Sequence, residues 1–140
     1  MLNHTVDVDG TDHAGVRRYE MRHDPTADSL GGSSSYQQGT RTPDARHRRM
    51  GSIAMDGAGN LALGYSLSDR PTNTWPSIAY TGRPAGDPLG TLPQGEVVAT
   101  PGSGAQLDSS GRWGDDSAMT VDPDGRLPVL LHAGVLRHLR

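Results

Sequence analysis

Apolar side chains recur at every second position in short runs along most of this chain, and the runs are separated by glycine-, proline- and aspartate-rich turns. Val6 and Val8 alternate with polar neighbours ahead of a turn holding Gly10 and Gly15, and the same period continues through Val16, Arg18 and Glu20. A period of two puts successive side chains on opposite faces of an extended backbone, so residues 5–20 are expected to form a strand, a turn and a strand. The strongest hairpin signal is HRRMGSIAMDGAGNLALGYS at 47–66. There Ile53 and Met55 alternate with Ser52 and Ala54, residues 56–60 tolerate a positive φ, and Leu61, Leu63 and Tyr65 resume the alternation. Further strands are expected at 35–38, 77–81 and 96–100, and one begins within RWGDDSAMTVDPDG at 112–125. No helical period precedes residue 126, so the predicted class is all-β.

An internal repeat refines that class. SIAMDGAG at 52–59 can be laid on AMTVDPDG at 118–125, bringing together an alternating strand, Asp56 with Asp122, and Gly59 with Gly125. Two hairpins that share a D-x-x-G turn would look alike for that reason alone. Several strands with turn signals and a repeated unit nevertheless fit a β-propeller, built of four-stranded blades, better than a helical repeat or a βαβ fold.

Composition limits what such a chain can bury. In 140 residues the hydrophobic share is 33%, aromatics are 4% and phenylalanine is absent, so one domain is allowed but its core is small. No apolar run reaches the roughly 18 to 20 residues that span a bilayer. The net charge of −3 gives no reason to expect a nucleic-acid partner. All 13 basic residues are arginine, a skew that reports a GC-rich gene. There is no cysteine for a disulfide or a thiolate metal site. The first ten residues, MLNHTVDVDG, lack the basic and apolar segments of a signal peptide.

Taken in order, NHTVDVDGTDHAGVRRYE, YQQGTRTPD, HRRMGSIAMDGAGNLALGYS, PSIAYTGR, DPLGTLPQGE and RWGDDSAMTVDP resemble a segment of large exported bacterial proteins with sialidase-like or BNR-like β-propeller repeats. The resemblance implies an incomplete propeller over residues 1–125, of two or three blades at roughly 40 to 50 residues each. It also implies an extracellular or cell-surface parent whose remaining blades are partners, and a glycan or protein as ligand. A shared blade pattern carries no active site with it, so the implied role is a non-catalytic scaffold or binding segment. The competing reading is part of a sialidase-like glycoside hydrolase. Three aromatics of the pattern are replaced here, by Arg18, Arg49 and Asp116. Because such aromatics pack between sheets, their loss is expected to weaken the scaffold.

Candidate chemistry is sparse. Asp7, Asp9 and Asp12 place three carboxylates in one turn, as Ca²⁺ loops do, but without the EF-hand spacing and its distal glutamate; the alternative is a solvated acidic turn. The basic run RHRR at 46–49 reads as a solvated loop cluster on a net acidic chain. No G-x-S-x-G elbow supports a hydrolase triad. A retaining sialidase needs a tyrosine with an acidic partner and arginines for the substrate carboxylate. Tyr80, Arg83, Glu96 and Arg112 are the right types, with no spacing that makes them converge. No catalytic or cofactor-binding residue is therefore assigned, and Ca²⁺ at the acidic turn is the one cofactor considered.

The tail, GRLPVLLHAGVLRHLR, breaks the alternation. Leu127, Leu131, Val135 and Leu139 fall four apart, which fits a short helix over 128–139. Residues 126–140 also leave the resembled pattern. Read one base later, a synonymous coding of LPVLLHAGVLR yields CPFCYTQEYF, which recovers that pattern, so a frameshift near residues 124 to 126 is expected.

Overall fold

The computed structural model describes residues 1–24, 26, 33–105, 107, 116–122 and 132–133. These residues are all-β, without a helix, and none of their elements could cross a membrane as a helix. Strands β1 (Leu2–Asp7), β2 (Ala14–His23) and β3 (Ser33–Arg41) form a three-stranded antiparallel sheet in chain order. Strands β4 (His47–Met55), β5 (Leu61–Asp69), β6 (Thr74–Arg83) and β7 (Val97–Thr100) form a four-stranded meander, also in chain order. A short pair, β8 (Ser117–Ala118) with β9 (His132–Ala133), completes the described strands. His132 and Ala133 are therefore extended, because an antiparallel pair demands it, and the helix expected over 128–139 does not pass through them. The rest of that segment lies outside the described residues.

The alternation read from the sequence becomes a buried face in β2 and β5. Leu63, Tyr65 and Leu67 of β5 cluster with Ala79 of β6 and Val16 of β2, and Ile53 and Leu92 pack at the margin. Each fully buried leucine contributes about 1.5–3 kcal/mol. The face of β2 that carries Val16 continues through Arg18 and Glu20, which are also buried. Among the described residues more polar or charged side chains are buried than apolar ones, so the interior depends on its hydrogen bonds.

The sheets meet at a bulge in β4. Its pairing with β5 shifts between Arg49 and Ser52, and Met50 there adopts a φ of 53°. The Met50 amide donates to Thr5 Oγ1 at 3.2 Å on β1. On the other side, Ser117 Oγ donates to the Met50 carbonyl at 2.9 Å, and the Met119 amide donates to Ser52 Oγ at 2.7 Å. The first strands of the three sheets, β1, β4 and β8, are thus tied side by side.

The turn that leaves β1 also matches the repeat. TVDVDG at 5–10 shares five of six residues with TVDPDG at 120–125. Asp7 Oδ1 accepts from the amides of Asp9 and Gly10, and Asp56 Oδ1 accepts from those of Ala58 and Asn60. An aspartate at the strand end that caps the following turn is the physical content of the repeated sequence.

Gly51 permits the close approach at the bulge. A Cβ there would lie 2.5 Å from Val16 Cγ1, in the core, and 2.6 Å from Asn3 Oδ1. Replacing Gly51 by alanine is expected to destabilise the fold by about 1–3 kcal/mol, read as a lower urea midpoint, because Val16 has no room to withdraw.

Candidate functional site

Asp7, Asp9 and Asp12 lie together on the β1–β2 turn, with Asp12 at a φ of 63°. Their oxygens serve the turn itself. Asp7 Oδ2 accepts from the Asp12 amide at 3.3 Å, and Asp9 Oδ1 accepts from the Thr11 amide and hydroxyl at 3.0 and 2.6 Å. Asp9 Oδ2 lies 3.2 Å from His13 Nδ1. The amide of Asp9, then those of Gly10 and Asp12, hold the Asp7 carboxyl below its ordinary range. Among the described residues no group of three or more His, Cys, Asp or Glu side chains is arranged to hold a metal ion.

The densest chemistry lies where the β3–β4 loop, β5 and the start of β7 converge. Arg48, inward-facing on β4 and fully buried, donates from Nε to Glu96 at 2.7 Å and from both terminal nitrogens to Asp44 at 3.0 and 3.1 Å. Arg46 joins Asp44 and Glu96 from the rim, at 2.8 and 2.9 Å. Tyr65 donates its hydroxyl to Glu96 at 2.7 Å. Burial disfavours the Arg48 cation, but Glu96 and Asp44 reverse this and raise its pKa further. Burial likewise pushes Glu96 up, and the hydrogen bonds from Arg48 and Tyr65 more than offset it, leaving Glu96 below its ordinary 4.5. Arg46, opposed by burial and aided by Arg48, holds Asp44 well below the usual carboxylate range. Tyr65 is pushed up to about 12 by burial and by the Glu96 carboxylate, so its hydroxyl stays protonated at neutral pH.

The four residues of sialidase-like type do not assemble. Tyr80 faces outward on β6 and is 42% exposed. Arg83 is buried, and its Nη1 donates to the carbonyls of Pro84, Ala85 and Asp87 at 3.3, 3.3 and 2.9 Å. Glu96 serves Arg48, Arg46 and Tyr65, while Arg112 lies outside the described residues. Tyr65, expected from its alternation to be a strand residue only, is thus the tyrosine with the acidic partner. Its place beside Leu63 and Leu67 on the inward face was the signal for burial, but Glu96 is 31 residues away and nothing in the sequence joins them.

A second group of arginines faces the gap between the sheets. Arg18 is 2% exposed and donates from Nη2 to the Thr91 carbonyl at 2.6 Å. Arg41 donates from Nη1 to the Leu92 carbonyl at 3.5 Å. Beside them Glu20 accepts from Gln37 Nε2 at 2.6 Å and from Arg22 Nε at 2.7 Å. Of the three positions at which the resemblance expects aromatics, Arg49 and Asp116 are exposed and Arg18 is buried. No family model matches the sequence, and neither a curated protein nor a solved structure matches it.

Removing one member of the buried cluster strands another. Glu96→Gln is expected to cost roughly 3 kcal/mol, because Arg48 loses its shortest charged partner in a buried site. Chemical denaturation of the two proteins measures it. The pH dependence has two limbs. Glu96 and Asp44 contribute stability that is fully present above their ordinary values of 4.5 and 3.8 and is lost as pH falls through their lowered folded values. Tyr65 contributes stability that is present below its ordinary 10.0 and is lost as pH rises through about 12. A tyrosinate absorbance titration should contain a component at about 12 that Tyr65→Phe removes.

Proposed function

We propose that this chain is a non-catalytic scaffold or binding segment of an exported bacterial β-propeller protein with sialidase-like repeats. The observation that carries the reading is the side-by-side placement of β1, β4 and β8, each opening a sheet of its own. In a propeller the strands that open successive blades neighbour one another in this way, and β4 to β7 have the connectivity of one blade. The recurring aspartate turn supplies the sequence repeat such an architecture needs. The partners of the segment are then the other blades of its parent, with a glycan or protein as ligand. The tail from residue 126 is proposed to be out of frame, which the nucleotide sequence of the native locus decides.

The glycoside hydrolase is the second reading, and Tyr65 with Glu96 is the observation in its favour. A nucleophilic tyrosine must reach the substrate and give up its proton, whereas Tyr65 is 1% exposed and holds its proton more tightly than usual. Its hydroxyl acts as a fixed donor to Glu96. Incubation with a fluorogenic sialoside should therefore give no turnover above the uncatalysed rate. Turnover that disappears in Tyr65→Phe and in Glu96→Gln would overturn the scaffold reading. Ca²⁺ at Asp7, Asp9 and Asp12 is a separate proposal. Hydrogen exchange at residues 5–20 with and without the ion tests it, since an ion bound to the folded state raises protection and one that does not bind leaves it unchanged.

A further inference from the structure

A pocket of about 160 Å³ opens between β2, β3 and the turn at 88–92. Arg18, Thr40, Arg41, Thr42, Gly90 and Thr91 line most of it. No carboxylate is among its lining residues, although two guanidinium groups are. The Nε–H groups of Arg18 and Arg41 are both buried and have no hydrogen-bond partner. A guanidinium does not escape this by losing its proton, so its charge requires a counter-charge or the dipoles of carbonyl groups.

Among the described residues no carboxylate forms an ion pair with Arg18 or Arg41. Asp44 and Glu96 are held by Arg46 and Arg48, and Glu20 is held by Arg22. Arg18 has one carbonyl, that of Thr91, and Arg41 has the carbonyl of Leu92 and the Tyr65 hydroxyl, neither of which carries a charge. Burial and the nearby Arg83 cation both disfavour the charged form of Arg18. The backbone is nevertheless shaped to keep Arg18 in place. A Cβ on Gly39 would collide with the Gly90 carbonyl and lie 3.2 Å from Arg18 Nη1, so only glycine lets the 88–92 turn close over the guanidinium.

We propose that this pocket binds a small oxoanion, the carboxylate or phosphate group of a ligand, beside the guanidinium groups of Arg18 and Arg41 that line it. An anion here neutralises two cations that no carboxylate among the described residues pairs with. Thr42 stands at the rim to add a hydroxyl, its Oγ1 3.5 Å from His13 Nε2. The inference goes beyond the propeller reading and does not depend on it, since it requires only the packing of β2, β3 and the 88–92 turn.

The test follows the Nε–H resonances of the arginines in ¹⁵N-labelled full-length chain. Sodium acetate, sodium phosphate and sodium chloride are titrated separately at constant ionic strength. Acetate or phosphate should shift the Arg18 and Arg41 signals saturably, while chloride at the same ionic strength should not. A response to acetate alone assigns a carboxylate ligand, a response to phosphate alone assigns a phosphate, and either supports the site. Arg41→Gln should weaken the response at Arg18 roughly tenfold or more, as loss of a charge-assisted hydrogen bond does. Arg18→Met should abolish the response at Arg41. If Arg18→Met does not fold, Arg41→Gln decides alone, because Arg41 is only partly buried. No saturable shift with either oxoanion, or a response that Arg41→Gln leaves at full strength, overturns the proposal.

Discussion

Arg48 is a permanent cation with no exposure, and the arrangement around it follows from the need to neutralise it. Its two carboxylate partners come from different places, Asp44 on the β3–β4 loop and Glu96 just before β7. To reach Arg48 the loop must fold back over β4, and the long connection between β6 and β7 must return to the same spot. Tyr65 on the inner strand β5 then donates to Glu96 Oε2, the oxygen that also accepts from Arg48 Nε. One buried charge thereby sets the path of two irregular segments that hydrophobic burial alone would leave loosely defined. In a chain with no phenylalanine, polar contacts do the locating that aromatic packing performs elsewhere.

The same arrangement accounts for the arginines that go without. Carboxylates near the junction of the two main sheets are few, and Arg46, Arg48 and Arg22 take them. Arg18, Arg41 and Arg83 form no ion pair among the described residues and each donates to backbone carbonyls supplied by residues 84–92. That segment has no regular strand of its own, so its carbonyl groups are not consumed by a ladder and remain available as acceptors. Irregular backbone and unpaired cation are thus two sides of one arrangement.

Much of this was legible along the chain, and the failures have identifiable causes. The alternation in β4 and β5 marked both strands, and in β5 the buried Leu61, Leu63 and Tyr65, whereas in β4 Ser52 and Ala54 are buried and the apolar Ile53 and Met55 only half-buried. β3 was visible only at its centre because SSSYQQGTR is rich in serine, glutamine and glycine; its nine residues are extended because β2 offers a paired edge. The period of two correctly set Val16, Arg18 and Glu20 on one face, but their burial depends on Gln37 and Thr91, distant in sequence. Tyr80 and Tyr65 are equivalent as residue types, and only the pleat separates them, one outward and one inward. The acidic turn was seen as three carboxylates, whereas its local meaning is a set of acceptors for backbone amides. A repeat of that turn in the first sheet was present in TVDVDG and becomes evident once Asp7 and Asp56 are seen to play the same part.

The outermost strand of the larger sheet shows how this architecture meets the solvent. Val97–Thr100 is the edge of the meander among the described strands, so one row of its amides and carbonyls faces away from β6, and all four of its side chains are exposed. Such a row is a template on which another extended chain can be laid. Here it is only four residues long, with Pro93 a short distance before it and Pro101 directly after it. Proline offers no amide to continue a ladder, and a register that begins at Val97 runs out at Thr100. The margin of the sheet is thus a step too short for fibrous growth, and a docking strand from a neighbouring sheet would have to match it within those four residues.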